Sequence, residues 1–296
     1  MPLTLLHTSS NLIADRRFAY GQDLAADGDM QAAAELYEQT LELVPDYSPA
    51  WFELGKAYTA FNSPKSEMAF QHYLNLDPND TLGAGLYLSN SMSAAYITSL
   101  FDSYANKFDA HLIKALNYRG PEILHAGLKK FCTDQQRTFK FNTIIDLGCG
   151  TGLSGEKFTD ITSQLIGCDL STKMIKEAQR KNIYQELYVE DAITCLSRYT
   201  CDLILAVDVL VYIGDLFGLF AQIKTSLTQD GLFAFSVQSH EGTGYKLGED
   251  MRYAHSYEYI ANISKTFGLD VKWFDKISTR QDRGIDVPGS VVIVGH

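Results

Sequence analysis

No run of about eighteen uncharged apolar residues occurs anywhere in the chain, so no segment is long enough to cross a bilayer as a helix. The opening residues, Met1 to His7, lack both the basic stretch and the apolar stretch of a secretory signal. A cytoplasmic, soluble protein without a membrane partner is therefore expected. Positive charge is also scarce: 25 Lys and Arg stand against 36 Asp and Glu, a formal balance of -11. Binding to a phosphate backbone rests on clustered cations, so a nucleic acid is not expected as principal partner, although a local basic patch stays open. The five cysteines, at positions 132, 149, 168, 195 and 201, are odd in number and have no C-x-x-C spacing. That argues against a disulfide framework and against a metal site, and reduced, buried thiols are expected.

What remains is ordinary globular composition, 46% hydrophobic and 21% charged over 296 residues, enough for one large or two small domains. The most informative segment is Thr143-Ile-Ile-Asp-Leu-Gly-Cys-Gly-Thr-Gly152, a short apolar run followed by three alternate glycines. It predicts a buried parallel strand, then a tight turn whose bare backbone admits a ligand at the start of a helix. The dinucleotide pattern G-x-G-x-x-G is absent, because Leu153 occupies its third glycine position and Asp146 precedes the first. Three further apolar runs each lead to an acid: Gln164–Cys168 to Asp169, Leu187–Glu190 to Asp191, and Asp202–Val207 to Asp208. Any one acid suits a helix cap as well as a ligand. Four in register at the carboxyl ends of successive parallel strands point to the ligand edge of an open α/β sheet.

The sequence Asp146-Leu-Gly-Cys-Gly-Thr-Gly152 resembles the first motif of class I S-adenosylmethionine-dependent methyltransferases. That resemblance implies an α/β fold with a Rossmann-like, seven-stranded sheet, completed by strands at Gly231–Val237, Val271–Lys276 and Gly289–Val294. It implies S-adenosyl-L-methionine as cofactor and S-adenosyl-L-homocysteine as product. Asp146, Gly148, Cys149, Gly150 and Gly152 would lie under its methionine part and Asp169 on the ribose. Leu170, Met174, Asp191 and Ala192 would line the adenine pocket, with Ser171 capping the next helix. Asp208 and Tyr212 would face the methyl-transfer centre, Tyr212 among the candidate catalytic residues. Cys149 is not read as a nucleophile. Where strand four ends, Asp208-Val-Leu-Val211 stands in place of the Asn/Asp-Pro-Pro-Tyr motif of base-amino methylation. A hydroxyl or carboxylate of a small molecule or carrier-bound acyl group becomes the leading acceptor.

The first eighty residues are helical, alanine-rich and repetitive. Gly21, Ala33, Tyr37 and Pro45 answer to Gly55, Ser66, Phe70 and Pro78, and the second unit adds Trp51, Leu54, Ala57 and Tyr58. This resembles two tetratricopeptide repeats, with Arg17 departing from the usual aromatic of the first. Such an all-α region binds a protein segment or serves as a structural or dimerising appendage. The expected divisions are 1–82 for the repeats, 83–135 for connecting and lid helices, and 136–296 for the methyltransferase domain.

Between repeats and glycine loop, apolar residues at 100, 101, 104, 105, 108 and 112 follow helical spacing. A packed amphipathic helix accounts for them. The stretch also resembles the aromatic F-D-x-Y-A-x-x-F-D lid of small-molecule methyltransferases, in which Tyr104 and Phe108 would cover the cofactor. Arg119 is either a partner for the cofactor carboxylate or a plain surface residue. For the acceptor, Arg252 and Tyr253 suit an anionic group, and His255 and His240 suit a proton acceptor; His255 or Ser256 equally suits a helix start. Three alternative functions stand beside the leading one: a protein methyltransferase recruiting substrate through the repeats, a non-catalytic repeat scaffold, and, least favoured, a nicotinamide oxidoreductase.

Overall fold

The computed structural model describes residues 8–89, 91–105, 108–109, 112, 117–248, 250–282 and 284–296. Met1–His7, together with Asn106, Lys107, Ala110, His111 and Leu116 of the expected lid and its exit, lie outside the described residues. The chain divides into two compact units, Met1–Leu100 and Phe101–His296.

The first unit is built from α1 (Leu12–Ala26), α2 (Met30–Leu43), α3 (Ser48–Ala60), α4 (Lys65–Leu76) and the short α5 (Gly85–Leu88). Helices α1 and α2 start where side chains satisfy otherwise orphaned amides: Asn11 accepts from Ile13 and Ala14, and Asp29 from Ala32. One packing device occurs in both helix pairs. A Cβ at Gly21 would strike the ring of Tyr37, and a Cβ at Gly55 would strike the ring of Phe70, each at under 3 Å. Both rings are fully buried, so each glycine lets an aromatic close the pair.

The second unit carries a sheet whose main path runs β3-β2-β1-β4-β5-β11-β8. Its strands are β1 (Phe141–Leu147), β2 (Thr162–Asp169), β3 (Glu186–Val189), β4 (Cys201–Ala206), β5 (Leu227–Ser239), β8 (Asp270–Lys276) and β11 (Gly289–Gly295). The seven path strands match the expected Rossmann-like α/β sheet. The first five are parallel, and β11 pairs antiparallel with both β5 and β8. Short β6 (Tyr245–Leu247) and β7 (Tyr253–His255) extend the sheet beside β5, and β9 (Gln281–Asp282) with β10 (Ile285–Asp286) makes a separate hairpin.

The near-continuous apolar strands are explained by burial on both faces. Odd-numbered Ile145 and Leu147 join Phe233, Phe235 and Val292 in one core. Even-numbered Ile144 joins Leu203, Leu205 and Ile293 in the other. Helix α7 (Gly120–Asp134) covers the second core with Leu124, Leu128 and Phe131. Helices α11 (Phe217–Ser226) and α12 (Tyr257–Thr266) cover the first with Phe220, Ile223, Ile260 and Ile263. Strand order reverses between β1 and β4, which opens the crevice at their carboxyl ends where sheets of this kind take ligands.

Candidate active site at the carboxyl edge of the sheet

The glycine loop joins β1 to α8 (Leu153–Phe158). All three glycines have left-handed backbones, with φ of 57° at Gly148, 54° at Gly150 and 89° at Gly152. An L side chain is strained there. At Gly148 a Cβ would also collide with Val209, whereas at Gly150 it would meet only the Phe108 ring, at 3.7 Å. The loop is tied to its neighbour strand by the Cys149 amide, which donates to the Cys168 carbonyl at 2.9 Å. Burial pushes the Cys149 thiol well above its usual value, so it stays protonated.

Asp169 ends β2 directly beside this loop. Its Oδ2 accepts from the Gly150 amide at 3.0 Å and its Oδ1 from the Ser171 amide at 2.8 Å. Burial, with the charge of Asp102, raises its pKa against the effect of those two bonds. Ser171 caps α9 (Thr172–Lys181) by accepting from Met174 at 3.1 Å, and Met174 is fully buried beneath that turn. Asp191 caps α10 (Ala192–Leu196), accepting from the amides of Ile193 and Thr194, while Leu170 and Ala192 are partly exposed. Asp208 has a left-handed backbone with φ 57°, and its Oδ1 accepts from the hydroxyls of Ser236 and Thr279 at 3.2 and 3.1 Å.

Asp146 is buried and accepts from the Tyr184 hydroxyl at 2.7 Å. Burial first, then the charge of Asp169, pushes its pKa up to about 7. Tyr184 was not legible as a site residue. Its ring fills the space left by glycines at 155 and 167, where a Cβ would collide with it.

The segment from Phe101 to Asp109, which opens in the last residues of α6 (Ala94–Tyr104), approaches the same place. Phe108 packs edge-on to Tyr104 at 5.8 Å and to Phe101 at 6.0 Å, and Phe101 meets the Tyr212 ring at 5.2 Å. Two acids that the pattern reading passed over hold it there. Asp102 accepts from the Ser171 hydroxyl and from the Lys173 amide, and Asp109 accepts from the Thr151 hydroxyl and pairs with Lys181 at 3.5 Å. Both are the aspartates of the F-D-x-Y-A-x-x-F-D run. Arg119 is exposed just before α7, with its backbone amide bonded to the Thr279 carbonyl.

On the acceptor side, the structure corrects three expectations. His255 is completely buried in β7, with Nε2 donating to the Gly214 carbonyl at 3.0 Å and Nδ1 sealed without a partner. It is a core residue and has no free nitrogen to take a substrate proton. His240 accepts from the Gly242 amide through Nδ1 at 2.9 Å, which leaves Nε2 to donate to the Gly244 carbonyl at 3.3 Å. Its ring is thus committed to its own loop. Tyr253 is 5% exposed and packs on Tyr245, offering a substrate no surface. Arg252 lies over the Tyr212 ring at 5.8 Å. Nearby stands an arginine that the sequence reading missed, Arg280, 8% exposed, whose Nη2 donates to Gln238 at 3.1 Å and to Asp250 at 3.3 Å.

The buried His255 and Asp146 predict opposed responses to acid. Burial lowers the His255 pKa from 6.5 to about 4, so below pH ~6.5 the unfolded chain takes a proton that the folded chain refuses, and stability falls. Asp146, raised from 3.8 to about 7, holds a proton in the folded chain through the same window, so its contribution grows on acidification. Asp146→Asn should therefore unmask the histidine. Its urea midpoint is expected to drop from pH 7 to pH 4.5 by the equivalent of about 2 kcal/mol, and adding His255→Gln should flatten that drop.

Comparison with known proteins agrees with this geometry. Residues 145–235 match the family described as Methyltransferase domain. This segment is similar to a methyltransferase domain. S-adenosylmethionine is the methyl donor of that domain class. Over 110 residues the chain is 31% identical to the ubiquinone biosynthesis O-methyltransferase of Nitrobacter winogradskyi, covering 36% of this chain and 42% of that protein. The chain thus spans less than half the length of the curated relative it matches. The methyltransferase fold is shared with magnesium protoporphyrin IX methyltransferase from Synechocystis with bound S-adenosylhomocysteine, at TM-score 0.51 and 16% identity over 68% of this chain and 98% of that one. It is shared also with the 1,6-didemethyltoxoflavin-N1-methyltransferase of Burkholderia thailandensis, at TM-score 0.51 and 15% identity over 68% and 87%. Among the described residues no helix is long and apolar enough to cross a membrane, and no group of three or more His, Cys, Asp or Glu is placed to hold a metal ion.

Proposed function

We propose that this protein is an S-adenosylmethionine-dependent methyltransferase that modifies an oxygen atom of a small molecule or carrier-bound acyl group. The observation that carries this reading is one arrangement: a left-handed glycine loop, the Asp169 carboxylate on the amide of Gly150, and Phe108 above that glycine. Bare backbone under an aromatic cover fits the methionine part of the cofactor, and a carboxylate one strand over fits its ribose. Asp169 would hold the ribose hydroxyls. Leu170, Met174, Asp191 and Ala192 would form the adenine side, and Asp146, Gly148, Cys149, Gly150 and Gly152 the methionine side, with Tyr104 and Phe108 closing over it.

When bound, the cofactor supplies an activated methyl group on a sulfonium. The chain's own residues orient the acceptor, exclude water and hold the reacting atoms in line. Phe101, Tyr104, Phe108 and Tyr212 make the dry wall for that step. Oxygen as the target is supported by the relative named an O-methyltransferase. With His240 and His255 both committed to backbone carbonyls, an acceptor oxygen that is already ionised suits the site best, since it needs no base.

The helix pairs of the first unit are read as tetratricopeptide repeats. Their matching contacts, Gly21 on Tyr37 and Gly55 on Phe70, support that reading. Recruitment of a protein or carrier is their proposed role, and the boundaries at 82 and 135 belong to the same proposal.

Titration calorimetry with S-adenosylhomocysteine tests the cofactor assignment directly. Saturable one-to-one binding is expected, and methyl transfer from labelled cofactor to small acids and alcohols should follow. No heat and no protection of the glycine loop from hydrogen exchange would leave the non-catalytic scaffold as the better description.

A further inference from the structure

Arg252 and Arg280 occupy one corner of the site. The backbone leading into Arg252 makes a tight turn: the Gly248 amide donates to the Arg252 carbonyl at 2.8 Å and the Met251 amide to the Gly248 carbonyl at 3.0 Å. Asp250, within that turn, takes the Arg280 ion pair at 3.3 Å. Arg280 therefore pins the turn that presents Arg252. It is itself held from the other side by Gln238, at the end of β5.

The two guanidiniums differ in how they are used. Arg280 spends Nη2 on two partners, while among the described residues no carboxylate lies within 4.0 Å of the Arg252 guanidinium. Arg252 is partly buried over the Tyr212 ring and hydrogen-bonds the Tyr212 side chain. A neutral hydroxyl takes one of five guanidinium donors and leaves the charge in place for an anion. Two acids balance the pair in charge, but both are engaged: Asp250 on Arg280, and Asp208 on the hydroxyls of Ser236 and Thr279. Burial and the charge of Arg252 both work against the Arg280 cation, so the two positive charges sense each other. A planar fork of donors matches a carboxylate bidentately.

The neighbouring wall is aromatic. Tyr212 carries Arg252 on its face and Phe101 against its edge. Flat apolar surface beside a guanidinium suits a planar, conjugated molecule that ends in an acid.

We propose that Arg252, positioned by Arg280, binds a carboxylate of the methyl acceptor, and that the acceptor is a ring-bearing organic acid. This rests on the methyltransferase reading above. The test separates the two. Wild-type protein saturated with S-adenosylhomocysteine is titrated with paired probes, each an aromatic hydroxy acid and its carboxamide, drawn from one- and two-ring scaffolds. The acids should bind at least ten-fold tighter than their amides. Arg252→Gln should erase that preference and Arg252→Lys restore part of it. Arg280→Lys should weaken acid binding less than Arg252→Gln does.

The affinity of each variant for S-adenosylhomocysteine serves as the readout of folding and should stay within about two-fold of wild type. If cofactor product binds normally but no acid is preferred over its amide, or Arg252→Gln leaves the preference intact, the carboxylate assignment is overturned and the methyltransferase reading stands. If S-adenosylhomocysteine fails to bind the wild type, the underlying reading falls instead.

Discussion

Asp169→Ala is expected to weaken S-adenosylhomocysteine binding by ten-fold or more. The carboxylate ends β2 within reach of the glycine loop, and a carboxylate that accepts from two ribose hydroxyls forms charge-assisted bonds, each worth about 1.5–3 kcal/mol. Losing even one corresponds to at least ten-fold in affinity. The alanine variant removes more than that, since the amides of Gly150 and Ser171 also lose their acceptor. Asp169→Asn separates the effects, because the amide keeps one oxygen for the backbone and loses the charge. Calorimetry on both variants, with the urea midpoint of each as a control for folding, should show a large affinity loss in each, with less loss of stability for Asn than for Ala. An unchanged affinity in Asp169→Asn would remove this residue from the ribose. Asp191→Ala should have the smaller effect, as its carboxylate is exposed and occupied in capping α10.

The fold was legible wherever a local pattern is dictated by burial. β1, β2 and β4 are apolar because both faces of a parallel sheet are covered, and the three glycines are needed because the chain turns left-handed three times in five residues. Ser171 and Ser256 were readable as caps and both act as caps. The acceptor side was not legible, for a physical reason. A histidine or tyrosine on a short segment looks the same in sequence whether it faces a ligand or a core, and β7 turns Tyr253 and His255 inward while Arg252 stays at the site. Arg280 escaped notice because it stands about 130 residues beyond the glycine loop, and only the fold brings it to Asp250. Tyr184 escaped because its role depends on space at Gly155 and Gly167, which no pattern along the chain records. Asp102 and Asp109 were visible within the lid motif. Their partners, Ser171 and Thr151, lie 69 and 42 residues away.

Those two aspartates predict the behaviour of the lid. Phe108 lies above Gly150, so the segment must move before a cofactor can enter or leave. Asp102 grips the start of α9 through Ser171 and Lys173, next to Asp169, and Asp109 grips the glycine loop through Thr151. Each grip is a partly exposed hydrogen bond to a charged group, worth about 1 kcal/mol after competition with water. Asp102→Ala and Asp109→Ala should thus each raise the open fraction about five-fold, and the double variant about thirty-fold if the two act independently. Hydrogen exchange over residues 100–112 reads this directly, because amides of a segment that opens locally exchange at a rate set by its opening equilibrium. Wild-type protein should show exchange there that slows when S-adenosylhomocysteine is added. The double variant should exchange faster in its absence and release the ligand faster, with the core strands β1 and β4 unchanged. Equal protection in wild type with and without ligand, and no change in the double variant, would mark the segment as a fixed amphipathic helix whose aromatic residues serve packing alone.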